Sequence, residues 1–204
     1  PHLRKLGMPA TPPGITSPTG DNTDMAAIMA YMKGKSLVVD PPTGIIPHQP
    51  WALERRNSVM KDYAAPKPWQ IDTQTRGWPN GTPRIHVYST VDGNTGGPWL
   101  ILQGPGFVLF LYETQHEFRY VPLDGRPQPG KDIKLWMGDS RGRWEGDTLV
   151  VDVTNFNGET WLDRAGNFHS NALHVVERYT MMTPDHINYE ATLEDPKVFT
   201  RPWT

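Results

Sequence analysis

The amino-acid sequence predicts a mainly β protein, an antiparallel lipocalin-like barrel or sandwich with a proline-rich N-terminal arm and one or two short helices. Three observations indicate this class. Proline (21 residues) and glycine (19 residues) are frequent enough to interrupt helices throughout the 204-residue chain. From residue 84 onward, short apolar runs alternate with turn residues. No long helical pattern separates these runs, which favours antiparallel pairing of neighbouring strands.

The predicted organisation is an extended arm with short helices over residues 1–83, packing on a β domain over residues 84–204. Prolines at positions 1, 9, 12, 13 and 18 indicate an extended start. Apolar residues at helical spacing predict a helix over 23–33, and a second helix is predicted over 50–63. A short strand is predicted over 36–40. Both helices need an apolar surface to pack on.

Seven runs in the β domain are predicted to be strands because apolar and β-branched residues dominate them. Alternation in the last run places its apolar residues on one face and its polar residues on the other. Both faces of the third run are apolar, so we expect the N-terminal segment to cover one of them. The runs are 85–91, 99–103, 107–114, 117–122, 147–155, 173–182 and 187–193.

Composition and motifs exclude several classes of function. The net charge of −2 gives no electrostatic footprint for nucleic acid or an anionic membrane, and no apolar run is long enough for a transmembrane helix. The absence of cysteine excludes disulfides and thiolate chemistry. Nucleotide-binding, nucleophile-elbow and zinc-protease motifs are also absent. Because the chain begins at Pro1, we expect that a leader was removed or that the given chain begins late.

Polar side chains gather between Tyr112 and Arg119, at the end of a very apolar run. Strand alternation places Glu113 on the same face as Leu109 and Leu111, where partial burial would suit its carboxyl group to acid–base catalysis. The alternative is an ion pair between Glu113 and Arg119 at the rim of the fold.

A second polar segment contains His169 in a loop and His174 at the start of a strand. Alternation places His174, Val176 and Arg178 on one face of that strand. Three roles stay open for the histidines: hydrogen-bonded structural residues, an acid–base pair, or a metal site completed by His116 or Glu113. Because their spacing is not diagnostic of any metal, no cofactor is predicted.

Two tryptophans, Trp136 and Trp144, bracket a glycine-rich stretch that leads into a strand. Small lipocalin-like barrels often close one end with a Gly-x-Trp group, and Gly142-Arg143-Trp144 fits that arrangement. Asp139 is the functional candidate in this stretch.

Five motifs resemble a large family of uncharacterised bacterial proteins that are predicted to be exported. They are WMG at 136–138, GRWEGDTLVV at 142–151, TWLDRAG at 160–166, LHVVERY at 173–179 and TRPW at 200–203. The resemblance covers about residues 38–204. It implies a periplasmic or secreted bacterial protein and transfers no reaction. Family members often have Gly-His-Ser where this chain has Gly138-Asp139-Ser140, and a cysteine near positions 76–79.

The first functional hypothesis is an exported, cofactor-independent lyase, isomerase or hydrolase that acts on a small apolar or aromatic substrate in a barrel pocket. Acid–base chemistry would be carried out by polar side chains at the pocket. The catalytic candidates are Glu113, His116, His169, His174 and Asp139. The candidates for substrate binding are Arg119, Arg178, Tyr112, Trp136 and Trp161.

Two other classes of function stay open. One is a non-catalytic lipocalin-like protein that binds a ligand in the same cavity. The other is a structural or assembly subunit that uses its N-terminal arm or exposed sheet edges. Purely apolar pocket walls would favour binding, whereas a buried glutamate–histidine pair would favour catalysis. We expect a small-molecule partner, and a homo-oligomer or larger assembly stays open.

Overall fold

A computed structural model describes residues 36–61, 66–87, 99–184 and 186–204. These residues form two antiparallel sheets and few helices, which confirms the mainly β class. The predicted arm and the predicted helix over 23–33 lie outside the described residues. The second predicted helix is present as α1 (Pro50–Lys61).

The first sheet has three strands in the order β1 (Trp99–Gly104), β2 (Phe107–Tyr112) and β3 (Phe118–Pro122). Neighbouring strands are consecutive along the chain, as the sequence predicted. The turn between β1 and β2 uses Gly106, whose φ of 77° favours glycine because it has no Cβ.

The second sheet has four strands in the order β4 (Asp139–Glu145), β5 (Thr148–Thr154), β6 (His174–Thr183) and β7 (His186–Glu194). Three of them match predicted runs. The sequence did not predict β4, because its polar residues and its glycine favour a turn by local propensity. Pairing with β5 along its whole length makes it a strand.

The inner faces of the two sheets pack against each other and form the core. Val108, Phe110 and Val121 of the first sheet are fully buried, as are Val151 and Val153 of the second. The described residues contain no strand ladder that joins the two sheets, so the arrangement is sandwich-like and no closed barrel is present in them. Lipocalin-like closure therefore stays a prediction.

Strands β3 and β4 approach closely where Gly142 faces the first sheet. A Cβ at Gly142 would lie 2.5 Å from Leu123 and 2.7 Å from Val121, which is closer than atoms can pack. Glycine therefore permits this contact between the sheets. The adjoining Trp144 is 38% exposed, so it does not form the buried plug that the Gly-x-Trp pattern predicted.

Helix α1 packs away from the sheet face that it was expected to cover. Its buried Val59 lies against Gly166, and its Trp51 indole donates a hydrogen bond to the carbonyl of Lys197 at 3.1 Å. No helix in the described residues is long and apolar enough to cross a membrane.

Two strand predictions are wrong at the level of local structure. Residues 36–40 form no strand, and the amides of Val39 and Asp40 instead donate to the carbonyl of Thr204. The predicted strand over 85–91 begins as the helical turn α2 (Arg84–Val87), and residues 88–91 lie outside the described residues. A run of apolar residues this short does not separate helix from strand.

Candidate functional site

A network of polar side chains lies between the inner faces of the two sheets. We call it the His86 cluster, and its members are His86 from α2, Tyr112 from β2, Arg119 from β3, Ser140 from β4, Glu177 and Tyr179 from β6, and Tyr189 from β7.

Strand alternation and register explain why these side chains meet. Glu177 and Tyr179 are two residues apart on β6, so both point inward. Tyr189 is the register partner of Tyr179 on β7. In the facing sheet, Arg119 pairs in register with the buried Phe110. The inner surfaces of both sheets therefore carry one charge each, of opposite sign.

Helix α2 holds His86 in this interior through an ion pair at Arg84, two residues before it. The guanidinium of Arg84 donates to both carboxylate oxygens of Asp72, at 2.7 and 2.8 Å. Arg84 is only 2% exposed, and Ile85 beside it is also buried. A two-pronged bond of this kind fixes orientation as well as distance, so it positions the His86 ring between the sheets.

The ion pair between Arg119 and Glu177 is the electrostatic centre of the cluster. Both side chains are at least 97% buried. The Nε of Arg119 also donates to the Ser140 hydroxyl at 2.8 Å. Burial alone would raise the pKa of Glu177, but the charge of Arg119 and hydrogen bonds from its neighbours lower that pKa below its ordinary value. Glu177 is therefore ionised in the interior.

The imidazole of His86 is enclosed by aromatic rings and is 1% exposed. The ring centroids of Trp99 and Tyr189 lie 4.8 and 5.0 Å from it, and those of Phe110 and Tyr112 lie at 5.4 Å. Burial lowers the pKa of His86, and hydrogen bonding to Glu177 opposes this only in part. The ring is therefore neutral near pH 7.

The Nε2 atom of His86 is within hydrogen-bond distance of the Tyr179 hydroxyl. The Tyr179 hydroxyl lies 2.8 Å from that nitrogen and 3.1 Å from a carboxylate oxygen of Glu177. It carries one proton, so it can donate to only one of the two acceptors at a time. The Nη1 of Arg119, which can only donate, lies 3.2 Å from the same Nε2 atom, so the lone pair on Nε2 stays engaged even when Tyr179 donates to Glu177. The Tyr112 hydroxyl lies 3.1 Å from the same nitrogen.

The three tyrosines of the cluster keep their protons. Burial raises the pKa of Tyr112, Tyr179 and Tyr189, and the negative charge of Glu177 raises each further. The Tyr189 hydroxyl donates to Glu177 at 2.8 Å. The cluster therefore combines a neutral imidazole, protonated phenols and one matched pair of charges.

The two aromatic rings nearest to His86 come from edge strands of the two sheets. Trp99 of β1 and Tyr189 of β7 are partly exposed, and both rings pack against His86.

Two of the residues that sequence analysis proposed for substrate binding belong to the cluster. Tyr112 and Arg119 both point inward from the first sheet. Arg119 pairs with Glu177 and not with Glu113, which is exposed just beyond the end of β2. His116, three residues further on, is exposed as well.

The other acid–base candidates lie outside the cluster. His174 is on the outer face of β6, where its Nε2 lies 3.0 Å from the carboxylate of Asp152. Asp139 lies at the start of β4, 2.6 Å from the guanidinium of Arg141, and burial raises its pKa despite that cation.

His169 is buried with both ring nitrogens already hydrogen-bonded. Its Nε2 lies 2.8 Å from the Thr160 hydroxyl, and its Nδ1 lies 2.9 Å from the carbonyl of Ser170. Burial lowers the pKa of His169.

The remaining binding candidates are apart from one another. Trp136 packs on Trp78 at 4.9 Å, and Trp161 is buried and forms a bridge with Phe168. Arg178 is on the outer face of β6 and pairs with Glu145 at 3.0 Å.

Sequence analysis did not select His86, Glu177, Tyr179 or Tyr189. A signal for Glu177 was present, because alternation along β6 places it on the inner face with Val175 and Tyr179. A lone carboxylate on an otherwise uncharged inner face needs a buried partner. His86 gave no comparable signal, since its position depends on a helical turn that was predicted to be a strand.

The described ranges contain no group of three histidine, cysteine, aspartate or glutamate side chains placed to hold a metal ion. His116, His169 and His174 therefore do not meet in one site. Comparison of the chain with family models, curated proteins and solved structures gives no match.

Proposed function

We propose that the chain is an acid–base enzyme that acts on a small, uncharged, aromatic or apolar substrate at the His86 cluster. One observation carries this proposal: the phenol of Tyr179 lies within hydrogen-bond distance of both a buried histidine and a carboxylate that an arginine keeps ionised. The reaction class is a proton transfer of the kind that lyases, isomerases and hydrolases need.

The residues divide the chemistry among themselves. With the Tyr179 proton bonded to Glu177 and the Arg119 N–H displaced from its position 3.2 Å from the ring, Nε2 of His86 accepts a proton from the substrate. The resulting imidazolium lies 3.4 Å from Glu177, whose negative charge stabilises it. The Tyr112 phenol is placed to donate to a developing oxyanion, and the proton then returns from Nε2 to product.

The charges of the cluster favour an uncharged substrate. Arg119 already has a buried carboxylate partner, so an anionic ligand would have to compete with Glu177 in a desolvated site. A cationic ligand would lie beside the guanidinium. Trp99, Phe110 and Tyr189 provide aromatic walls for a planar, apolar ligand.

A solvent-exchange assay tests the proposal without knowledge of the natural substrate. The chain is incubated in D2O with phenylacetone, phenylacetaldehyde and 4-hydroxyphenylacetone, and proton NMR follows the loss of hydrogens next to the carbonyl. We expect exchange of at least one compound, and about 100-fold slower exchange in His86→Gln because the base is lost.

The matched control is His174→Gln, which makes the same change on the outer face. We expect it to exchange like wild type. Circular dichroism of both variants checks that each is folded. Loss of exchange in His174→Gln alone would move the site to the outer face and contradict the proposal, as would a wild type that neither binds nor exchanges any compound.

A second candidate is a non-catalytic binding protein, which the aromatic enclosure of His86 favours. The same samples separate the two functions. Saturation-transfer NMR that detects binding, together with no exchange above the buffer rate, would support the binding protein over the enzyme.

The exported location and the lipocalin-like form are further parts of the proposal. The family resemblance of the five motifs supports a periplasmic or secreted protein. The close approach of β3 to β4, with the His86 ring packed against both Trp99 of β1 and Tyr189 of β7, supports a barrel-like enclosure of the site.

A further inference from the structure

The outer face of the three-stranded sheet is apolar across all three strands. Two neighbouring rows of side chains, which we call the outer apolar face, are Leu100, Leu111 and Phe118, and Leu102, Leu109 and Tyr120. Phe118 is 65% exposed, Leu100 53%, Tyr120 45% and Leu102 42%. Every register partner within these rows is another apolar side chain, so no charged neighbour in the rows shields them.

The outer face of the four-stranded sheet differs in this respect. Val150, one of its apolar residues, is fully buried, and its two register partners are Arg143 and Arg178. Arginine stems cover apolar surface while their charged ends stay in water. Exposed apolar rows that lack this cover are typical of interaction surfaces.

We propose that the outer apolar face is a homodimer interface, in which two copies of the chain pack face to face about a two-fold axis. A two-fold interface needs a surface that is complementary to itself. Two apolar, antiparallel sheet faces meet this requirement, since their side chains interdigitate at about 10 Å sheet separation as in a β-sandwich.

The exposed area suits a weak dimer. With aromatic side chains that present about 150–250 Å² each, the observed exposures leave on the order of 500 Å² of apolar surface on one copy. Two copies would then bury roughly 1,000 Å², which is at the lower limit for a specific interface. We therefore expect a dissociation constant in the micromolar range.

Charges at the edge of this face disfavour an anionic lipid surface as its partner. Glu113 and Glu117 lie immediately beyond β2 and before β3, at the end of the face where Leu111 and Phe118 are located. These carboxylates would repel anionic headgroups, and the chain as a whole carries a net charge of −2. Two copies related by a two-fold axis can place these ends away from each other.

Analytical ultracentrifugation over a concentration series tests the proposal on the full chain. We expect wild type to pass from monomer to dimer with rising concentration. Phe118→Lys and Leu100→Lys would each place a charge in the interface and weaken association by roughly 100-fold. Thr192→Lys, an exposed change on the other sheet, should associate like wild type.

A cross-linking measurement identifies the face directly, because the chain has no cysteine of its own. Leu109 lies on the central strand, so a two-fold axis through the face brings its two copies together. Oxidation of Leu109→Cys with copper phenanthroline should give a disulfide-linked dimer. Thr192→Cys should stay monomeric under the same conditions.

Three results would overturn the proposal. One is a wild type that sediments as a monomer at every concentration. In that case, dye binding to apolar surface would show whether the chain itself covers the face, and flotation with phosphatidylcholine vesicles would show whether the face binds lipid. The second is a dimer that Phe118→Lys and Leu100→Lys leave unchanged. The third is equal cross-linking of the two cysteine variants.

Discussion

On the inner face of β6, Glu177 is fully buried and bonded to Arg119, whereas on its outer face His174 and Arg178 pair with carboxylates at sites that are 36–41% exposed. The two faces are one residue apart along the same strand. The inner pair has lost its hydration and depends on its partners, while the outer pairs remain in contact with water. The same kinds of side chain therefore have different energetic and chemical roles.

The comparison explains why function is assigned to the inner face. In the low-dielectric interior, the charge of Glu177 acts strongly on His86 and on the tyrosines. Water screens the outer ion pairs, and Asp152 is matched to His174 without a phenol between them. Of the two, the inner arrangement alone combines a neutral histidine, His86, with a phenol, Tyr179, whose proton can go to either His86 or Glu177.

The largest expected effect is the loss of the inner ion pair. Glu177→Gln leaves Arg119 as an uncompensated buried charge, so we expect the free energy of unfolding in urea to fall by about 3–5 kcal/mol. Glu145→Gln, the matched change on the outer face, should have no measurable effect because its partners are hydrated. Equal losses in the two variants would contradict the difference between the faces.

A double-mutant cycle on Arg119 and Glu177 measures how strongly the two buried charges stabilise each other. Arg119→Met and Glu177→Leu each leave one buried charge alone, whereas the double variant leaves none. We expect the double variant to be more stable than the sum of the single changes predicts, with a coupling energy of about 2–3 kcal/mol in urea denaturation. Additive losses would show that the pair is not coupled.

The pH dependence of stability should report the burial of His86. Its pKa is lowered from 6.5 by burial, so the unfolded chain binds the proton more readily than the folded chain. Stability is then present above pH 6.5 and is lost as the pH falls below it, by up to about 1.4 kcal/mol for each pH unit. His86→Gln should lose less stability on acidification. Part of the loss of stability on acidification should remain in His86→Gln, because burial also lowers the pKa of His169.

The smallest expected effect is at His174, and it has the opposite sign. The hydrogen bond to Asp152 raises the pKa of His174 above 6.5 in the folded chain. Its contribution is therefore present below pH 6.5 and is lost as the pH rises through the folded-state pKa. His174→Gln should be slightly less stable than wild type in acid and equal to it in alkali, as followed by denaturation at both extremes. A stability difference between wild type and His174→Gln that is present only in alkali would contradict the predicted direction.

Much of the fold follows from alternation along the chain. The runs that became β2, β3, β5, β6 and β7 have strong apolar character or clear period-two alternation, so they were recognisable as strands. Strand β4 was not recognisable, because its polar side chains and Gly142 fit a strand only through pairing with β5 and contact with Val121. Propensity is overridden by tertiary contacts there.

The site was less predictable than the fold. Tyr112 and Arg119 were selected because polar residues at the end of an apolar strand need partners. Their partners Glu177, Tyr179 and Tyr189 come from the other sheet, and sequence alone does not show which inner-face residues meet across a sandwich. His86 depends on the Arg84–Asp72 ion pair that orients α2, which is a contact between parts of an irregular segment.

Nitrogen-15 NMR of the chain labelled at histidine tests the central claim most directly. We expect the His86 ring to stay neutral at pH values where an exposed histidine is protonated, and its nitrogen shifts to change when a compound of the aromatic carbonyl panel binds. The signals of His174 should not respond to the same compound. A His86 ring that titrates near its ordinary value of 6.5, or that no panel compound affects, would contradict the account.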